Sequence, residues 1–303
     1  MSYRIGSFNI RKLNFERSKE SKKDFGKIAE IIRKYNFGVI AIQEALNRMA
    51  IEAIMRELGN SYDFAWDQPR RAMNGSIQEG FAFIWNKRLF SLAKHENERF
   101  QNPRILENYR VYKDLAQSNL VRDPFVAWFS PNNNPACEFC LINTHIVYSA
   151  NWRNTEDDES FTSHFLRRKE FEVLVQSIYK DLAYHPVVGK CLYTIILGDY
   201  NLNLGSKYLP GKEVINDRSQ KRTIITVQEE LSTLKKSPKE GEEPAPFYWS
   251  NNYDHFSYDV ALFPSKGMRV KRINTVLDCK DYIEHNLIIS DHVPVCLDID
   301  FRV

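Results

Sequence analysis

Residues 195–204 read IILGDYNLNL. An apolar run climbs into a glycine, and an aspartate and an asparagine follow two residues apart. Such a run reads as a strand covered by other layers. Side chains at i and i+2 of a strand point the same way. Asp199 and Asn201 therefore leave the strand on one side if extended geometry persists past Gly198, where the missing Cβ lets another chain or a ligand approach. Gly-Asp and Asn are also ordinary turn residues. The fragment alone leaves two readings open, a solvated turn or an active site at a strand's end.

Similar runs recur outward from it. YRIGSFNI (3–10), GVIAIQ (38–43), GFAFIW (80–85), PFVAWF (124–129), FCLINTHIV (139–147), YTIIL (193–197), SYDVALF (257–263) and VPVCLDIDF (293–301) all read as strands. Four helices are expected among them. One carries Phe25, Ile28, Ile31, Ile32 and Tyr35 behind a capping box of Ser21 and Asp24. A second, with Ile51, Ile54, Met55 and Leu58, follows Asn47 and stops at Gly59. A long amphipathic helix carries Phe171, Leu174, Val175, Ile178 and Leu182. A short one, capped by Thr226 and Glu229, carries Val227, Leu231 and Leu234. KKSPKEGEEPAP (235–246) reads as a surface loop. With no internal repeat or linker, residues 1–303 are expected to form a single α/β domain of stacked sheets with helices outside.

The bulk numbers exclude less than they suggest. At 43% hydrophobic and 27% charged, the 303 residues are those of a globular protein with ample core. A net charge of +3 neither repels a polyanion nor marks a nucleic-acid binder. MSYRIGSFNI reads as a strand rather than a leader, and the longest apolar runs are too short to cross a bilayer. Five cysteines, with one C-x-x-C at 137 and 140 and no second pair, point to reduced thiols. The expectation is a cytoplasmic monomer away from membranes.

Polar residues gather at strand ends: Asn9, Glu44, Glu79, His145, Asp199, Asn201, Asp259, Asp291 and His292. Singly, each is more often a hydrogen-bonded structural group than a functional one. Together they suit phosphodiester hydrolysis, which needs an activated water, a cation and an acid for the leaving oxygen. Glu44, Asn9 and Asp291 offer hard oxygen ligands for Mg²⁺, with Mn²⁺ as a substitute. His292 oriented by Asp259 would make a base. Asp199 would orient the nucleophile or move its proton, and Asn201 would donate to a phosphate oxygen. His145 would face the leaving oxygen, with Glu79 orienting it.

SFNI, IQE, NTH, GDYNLN, SYDVALF and SDHVPV, in this order from residue 7 to residue 295, resemble the motif series of the endonuclease/exonuclease/phosphatase superfamily. That resemblance implies a four-layer α/β sandwich, two mixed sheets face to face with helices outside. It places Asn9 and Glu44 on a divalent metal, His145 on the scissile phosphate, and Asp259 beside His292.

LVRDPFVAWF (120–129) and NGSIQEGFAFIW (74–85) are similar to segments of the deoxyribonuclease I-like branch. They imply substrate contacts by Arg122 and by Asn74, with Glu79 supporting His145. Asn47 and Arg48 open a helix just after Glu44, where a helix N-terminus holds phosphate. The cluster Arg167-Arg168-Lys169 reads as the wet face of the long helix. The expected activity is therefore a Mg²⁺-dependent DNA endonuclease of low sequence preference. RNA, a phosphoinositide or another small phosphodiester is the alternative substrate, and a catalytically inactive nucleic-acid-binding module is the alternative of another class.

Overall fold

The computed structural model describes residues 2–15, 23–69, 79–94, 102–106, 120, 122–146, 167–183, 191–203, 213–217, 222–239, 241–263 and 267–300. Two sheets carry the chain. The first has the order β13 (Met268–Arg272), β14 (Val295–Asp300), β1 (Ser2–Leu13), β2 (Val39–Ala45), β4 (Gly80–Asn86) and β3 (Tyr62–Asp67). The second runs β10 (Glu213–Asp217), β11 (Arg222–Val227), β12 (Asp254–Asp259), β9 (Cys191–Asp199), β8 (Cys137–His145), β7 (Phe125–Pro131) and β5 (Phe90–Leu92), with β6 (Arg104–Ile105) paired to β7. Both sheets are mixed: β1 and β2 are parallel, β8 and β9 are parallel, and the other pairs are antiparallel.

Alternation explains the stacking. On β8, Phe139 and Leu141 point inward, where they meet Phe83, Phe125, Phe129, Ile195, Leu197 and Leu297 from both sheets. The intervening Cys140 and Ile142 point outward under the helix over residues 167–183, which buries Phe171, Leu174, Val175, Ile178 and Leu182. On the outer face of the first sheet, Phe8, Ile40, Ile42 and Ile84 pack against α1 (Phe25–Lys34) and α2 (Arg48–Leu58). The result is the expected four-layer sandwich. Strands covered twice carry no polar face, which is why β8 is buried throughout.

Several local expectations are corrected. The N-cap of α1 is Asp24, whose side chain accepts from the Lys27 amide; Ser21 lies outside the described residues. No helix forms over 226–234. The β-branched run Arg222–Val227 is a strand laddered to β12, and the chain then turns at Gln228, φ 119°. A short helix the sequence reading left out, Tyr282–Ile288, is capped by Asp281. Helix 167–183 follows the expected stripe, with a π-helical middle at Leu174–Tyr179. No helix among the described residues is long and apolar enough to cross a membrane.

Candidate active site

Strand direction brings the polar residues to one rim. The parallel strands β8 and β9 end together at the cross-strand pair His145 and Asp199. β1 and β2 bring Asn9 and Glu44 to the same rim, where their register breaks. Antiparallel neighbours begin where these strands end. Glu79 precedes β4, Arg122 precedes β7, Asp254 starts β12 opposite Asp199, and Asp291 and His292 precede β14.

Asp199 is the hub. Its Oδ1 accepts from the Asn201 amide at 2.8 Å, and its Oδ2 accepts from Asn9 Nδ2 at 3.0 Å. The same Oδ2 lies 3.6 Å from His292 Nε2 and 3.7 Å from His145 Nε2. Two imidazoles thus converge on one carboxylate oxygen. Burial raises the Asp199 carboxyl, against the pull of the two histidines. Gly198 makes the approach possible: at φ 148°, a Cβ there would fall 1.9 Å from the Thr144 carbonyl oxygen.

The histidines differ in environment. Burial would lower His292, but Asp254 and Asp199 outweigh it and raise the imidazole to about 10. Its Nδ1 donates to Asp254 Oδ2 at 2.8 Å, and Ser232 Oγ donates to the same oxygen at 2.6 Å. His145 is lowered to about 4 by burial and then by Arg122. Its Nδ1 is 3.0 Å from Glu79 Oε2, and Glu79 Oε1 pairs with Arg122 Nη2 at 2.7 Å. Burial raises Glu79 against that guanidinium.

The oxygen donors fit a divalent cation. Asn9 Nδ2 donates to Glu44 Oε1 as well as to Asp199, both at 3.0 Å, which fixes the amide and leaves Oδ1 buried without a partner. A buried orphan acceptor costs roughly 1–3 kcal/mol, and a hard cation would satisfy it. Asp291 Oδ1 is also buried and unpartnered, while Oδ2 accepts from Arg11 Nη1 at 2.8 Å. Glu44 itself adopts φ 58°, a left-handed conformation rare for a side chain of its kind. Among the described residues, ligand atoms of Glu44, Glu79 and His145 lie within 4.8 Å of one another, as do those of Asp199, Asp254 and His292.

One expected pairing is corrected. The carboxylate beside His292 is Asp254, not Asp259. Five residues along an antiparallel strand is about 17 Å, and Asp259 sits at the far end of β12, where its amide donates to Tyr179 Oη at 2.8 Å. Asn201 is in the site, but its Nδ2 donates to the Ile146 carbonyl at 2.7 Å. Asn47 caps α2 by accepting from the Ala50 amide, and Arg48 pairs with Glu52 over the Phe64 ring. Asn74 lies outside the described residues. Arg167, read as part of a wet face, is buried, and its Nη1 donates to the Asn201 carbonyl at 2.7 Å. Arg168 and Lys169 do face solvent, both pairing with Glu172.

The sequence reading missed the scaffold beneath. Gln43 Nε2 donates to Asn143 Oδ1 at 2.7 Å across the two sheets, and Asn143 Nδ2 donates to the Ile42 and Ala82 carbonyls. Ser290 Oγ donates to the Asn9 carbonyl and accepts from the Arg11 and His292 amides, tying β1 to the segment that leads into β14. The buried His285 holds that serine by donating Nδ1–H to the Ser290 carbonyl at 2.6 Å and accepting from Thr275 Oγ1 at Nε2.

Residues 6–292 match the model described as Endonuclease/Exonuclease/phosphatase family. None of the curated proteins matches the chain. Among solved structures, a protein of that family from Bacteroides thetaiotaomicron superposes with a TM-score of 0.59 at 15% identity, covering 100% of this chain and 99% of that one. The mannosyl-6-phosphatase Bt3783 of the same organism gives 0.58 at 16%, with 99% and 100% covered. TDP2 of D. rerio, complexed with a single strand DNA product, gives 0.55 at 14%, with 99% of each chain covered. At such identities the likeness is one of fold.

Proposed function

The chain belongs to the endonuclease/exonuclease/phosphatase family, and on that premise we propose that it is a Mg²⁺-dependent endonuclease hydrolysing the DNA backbone with little sequence preference. Family members are hydrolases of phosphoester bonds that generally depend on a divalent metal. The observation that supports this reading is the convergence of His145 Nε2 and His292 Nε2 on Asp199 Oδ2 beside the orphaned Asn9 Oδ1.

Each side chain then has a task. Asn9, Glu44 and Asp291 would hold the cation, which supplies charge neutralisation at the phosphate. Asp199, its carboxyl raised by burial, takes the proton of the attacking water. His292, kept charged by Asp254 and Asp199, presents Nε2–H to the phosphate and delivers a proton to the leaving oxygen. His145, with Nδ1 3.0 Å from the Glu79 carboxylate that pairs with Arg122, positions the phosphate from the opposite side.

The test is nicking of supercoiled plasmid with Mg²⁺, with EDTA, and with His292→Ala. A single-stranded RNA, a phosphoinositide and mannose 6-phosphate are assayed alongside. Metal-dependent nicking lost in the variant supports the proposal. An intact plasmid with turnover of another ester would move the substrate while keeping the chemistry, and no turnover at all would favour a binding module.

A further inference from the structure

The strand pair that ends in the site begins with two cysteines. In the parallel register of β8 and β9, Cys137 is paired with Cys191, eight positions before His145 meets Asp199. Side chains at paired positions of these strands share a face. One step further along it, Phe139 and Tyr193 stack at 5.4 Å between ring centroids. Cys137 and Cys191 precede them by two residues each and so project on the same inner face. Neighbouring strands lie about 4.8 Å apart, inside the Cα separation of about 4.4–6.8 Å that a disulfide spans. The Cys191 amide donates to the Ala136 carbonyl at 2.9 Å, which holds the two strand starts together.

The two thiols also have unlike surroundings. Cys191 is exposed, whereas Cys137 is buried, with Asn134 Nδ2 3.1 Å from its Sγ and Tyr193 hydrogen-bonded to it. An accessible sulfur beside a sheltered one suits an attacking and a resolving thiol. Both stand free, and neither belongs to the hydrolytic site.

We propose that Cys137 and Cys191 are a modification site, forming a reversible disulfide that staples the starts of β8 and β9, with a small disulfide such as oxidised glutathione as the oxidant. Cys191 gives up its proton, and its sulfur attacks one glutathione sulfur. The glutathione disulfide breaks, and one glutathione leaves as thiolate. Cys137 then loses its proton and attacks the Cys191 sulfur of the mixed disulfide, expelling the second glutathione. Two protein thiols are oxidised by two electrons, and one small disulfide is reduced to two thiols. The bond closes a loop of about 50 residues, long enough to restrict the unfolded chain appreciably. The staple sits about 26 Å from the catalytic pair, eight strand residues at about 3.3 Å each.

The experiment treats the full chain with excess oxidised glutathione, blocks remaining thiols, and maps peptides without reduction. The expected result is a cross-linked peptide pair joining Cys137 to Cys191, a fall in titratable thiols from five to three, and reversal by dithiothreitol. The oxidised protein should melt several degrees above the reduced one. Cys191→Ser, a change at an exposed position, should retain all its thiols and show no oxidant-dependent melting shift. Glutathione persisting on Cys191 would overturn the proposal, because Cys137 would then be unable to reach it. A Cys191-linked dimer, or a melting shift that survives in Cys191→Ser, would overturn it equally.

Discussion

Replacing Asp254 by asparagine keeps the shape of the group behind His292 and removes its charge. Two carboxylates, Asp254 at hydrogen-bonding distance and Asp199 at 3.6 Å, raise the buried imidazole from 6.5 to about 10. At about 1.4 kcal/mol per tenfold change, that preference for the charged ring is roughly 5 kcal/mol. Asp254 makes the closer contact and is the larger of the two attractions, so much of that preference should go with its charge. The amide oxygen can still accept from His292 Nδ1–H and from Ser232, so the change isolates the charge from the hydrogen bond. On the proposed chemistry, kcat falls about 100-fold or more while KM changes little, because the loss is felt in proton delivery rather than in ground-state binding. The assay is steady-state nicking of plasmid by Asp254→Asn and, as the paired control, Asp259→Asn. The control should stay within about threefold of the parent, since its carboxylate is about 17 Å along the strand. Full activity in Asp254→Asn, or an equal loss in both variants, would refute this assignment of His292's partner.

Gly198→Ala should be severe, because its Cβ would meet the Thr144 carbonyl at 1.9 Å and φ is 148°. Loss of roughly 3 kcal/mol or more in urea unfolding is expected, together with loss of activity. His255 and His285 are buried and lowered to about 4. Their unfolded value near 6.5 lies above the folded one, so stability is fully present above about pH 6.5 and is lost as pH falls toward 4. Each should cost about 2 kcal/mol between pH 7 and pH 5, and urea titrations of His285→Asn should show that much less acid sensitivity. Mg²⁺ should raise the melting temperature of the protein but not that of Glu44→Gln, a binding readout independent of turnover.

Much of the fold was legible because a doubly covered strand leaves an unbroken apolar run. The site was legible in proportion to how plainly a residue abuts such a run. Glu44, His145 and Asp199 sit at the ends of parallel strands and Asn9 where the regular β1–β2 ladder breaks, and the runs point straight at them. Residues at the head of an antiparallel strand are harder to place, because the strand must be started at the right residue. SYDVALF looks like the strand, but pairing with β9 starts it at Asp254, three residues before Ser257, and the assignment of Asp259 failed for that reason. The helix expected over 226–234 failed because ladder pairing with β12 outweighed a weak apolar spacing. Gln43 and Asn143 lie inside the IQE and NTH motifs, but nothing local shows that they face each other, and His285 carries no local signal. Their importance comes from partners 36 or more positions away, or from a loop no periodicity marks.

The rim draws Asn9, Glu44 and His292 from one sheet and His145, Asp199 and Asp254 from the other. Neither sheet alone holds the His292–Asp254 pair, since the imidazole comes from one sheet and the carboxylate from the other. Catalysis is therefore a report on assembly. During refolding, turnover should lag the appearance of β structure and keep time with the closing of the inter-sheet core. A chain still emerging from synthesis should stay inert until β14, which follows Asp291 and His292, is in place.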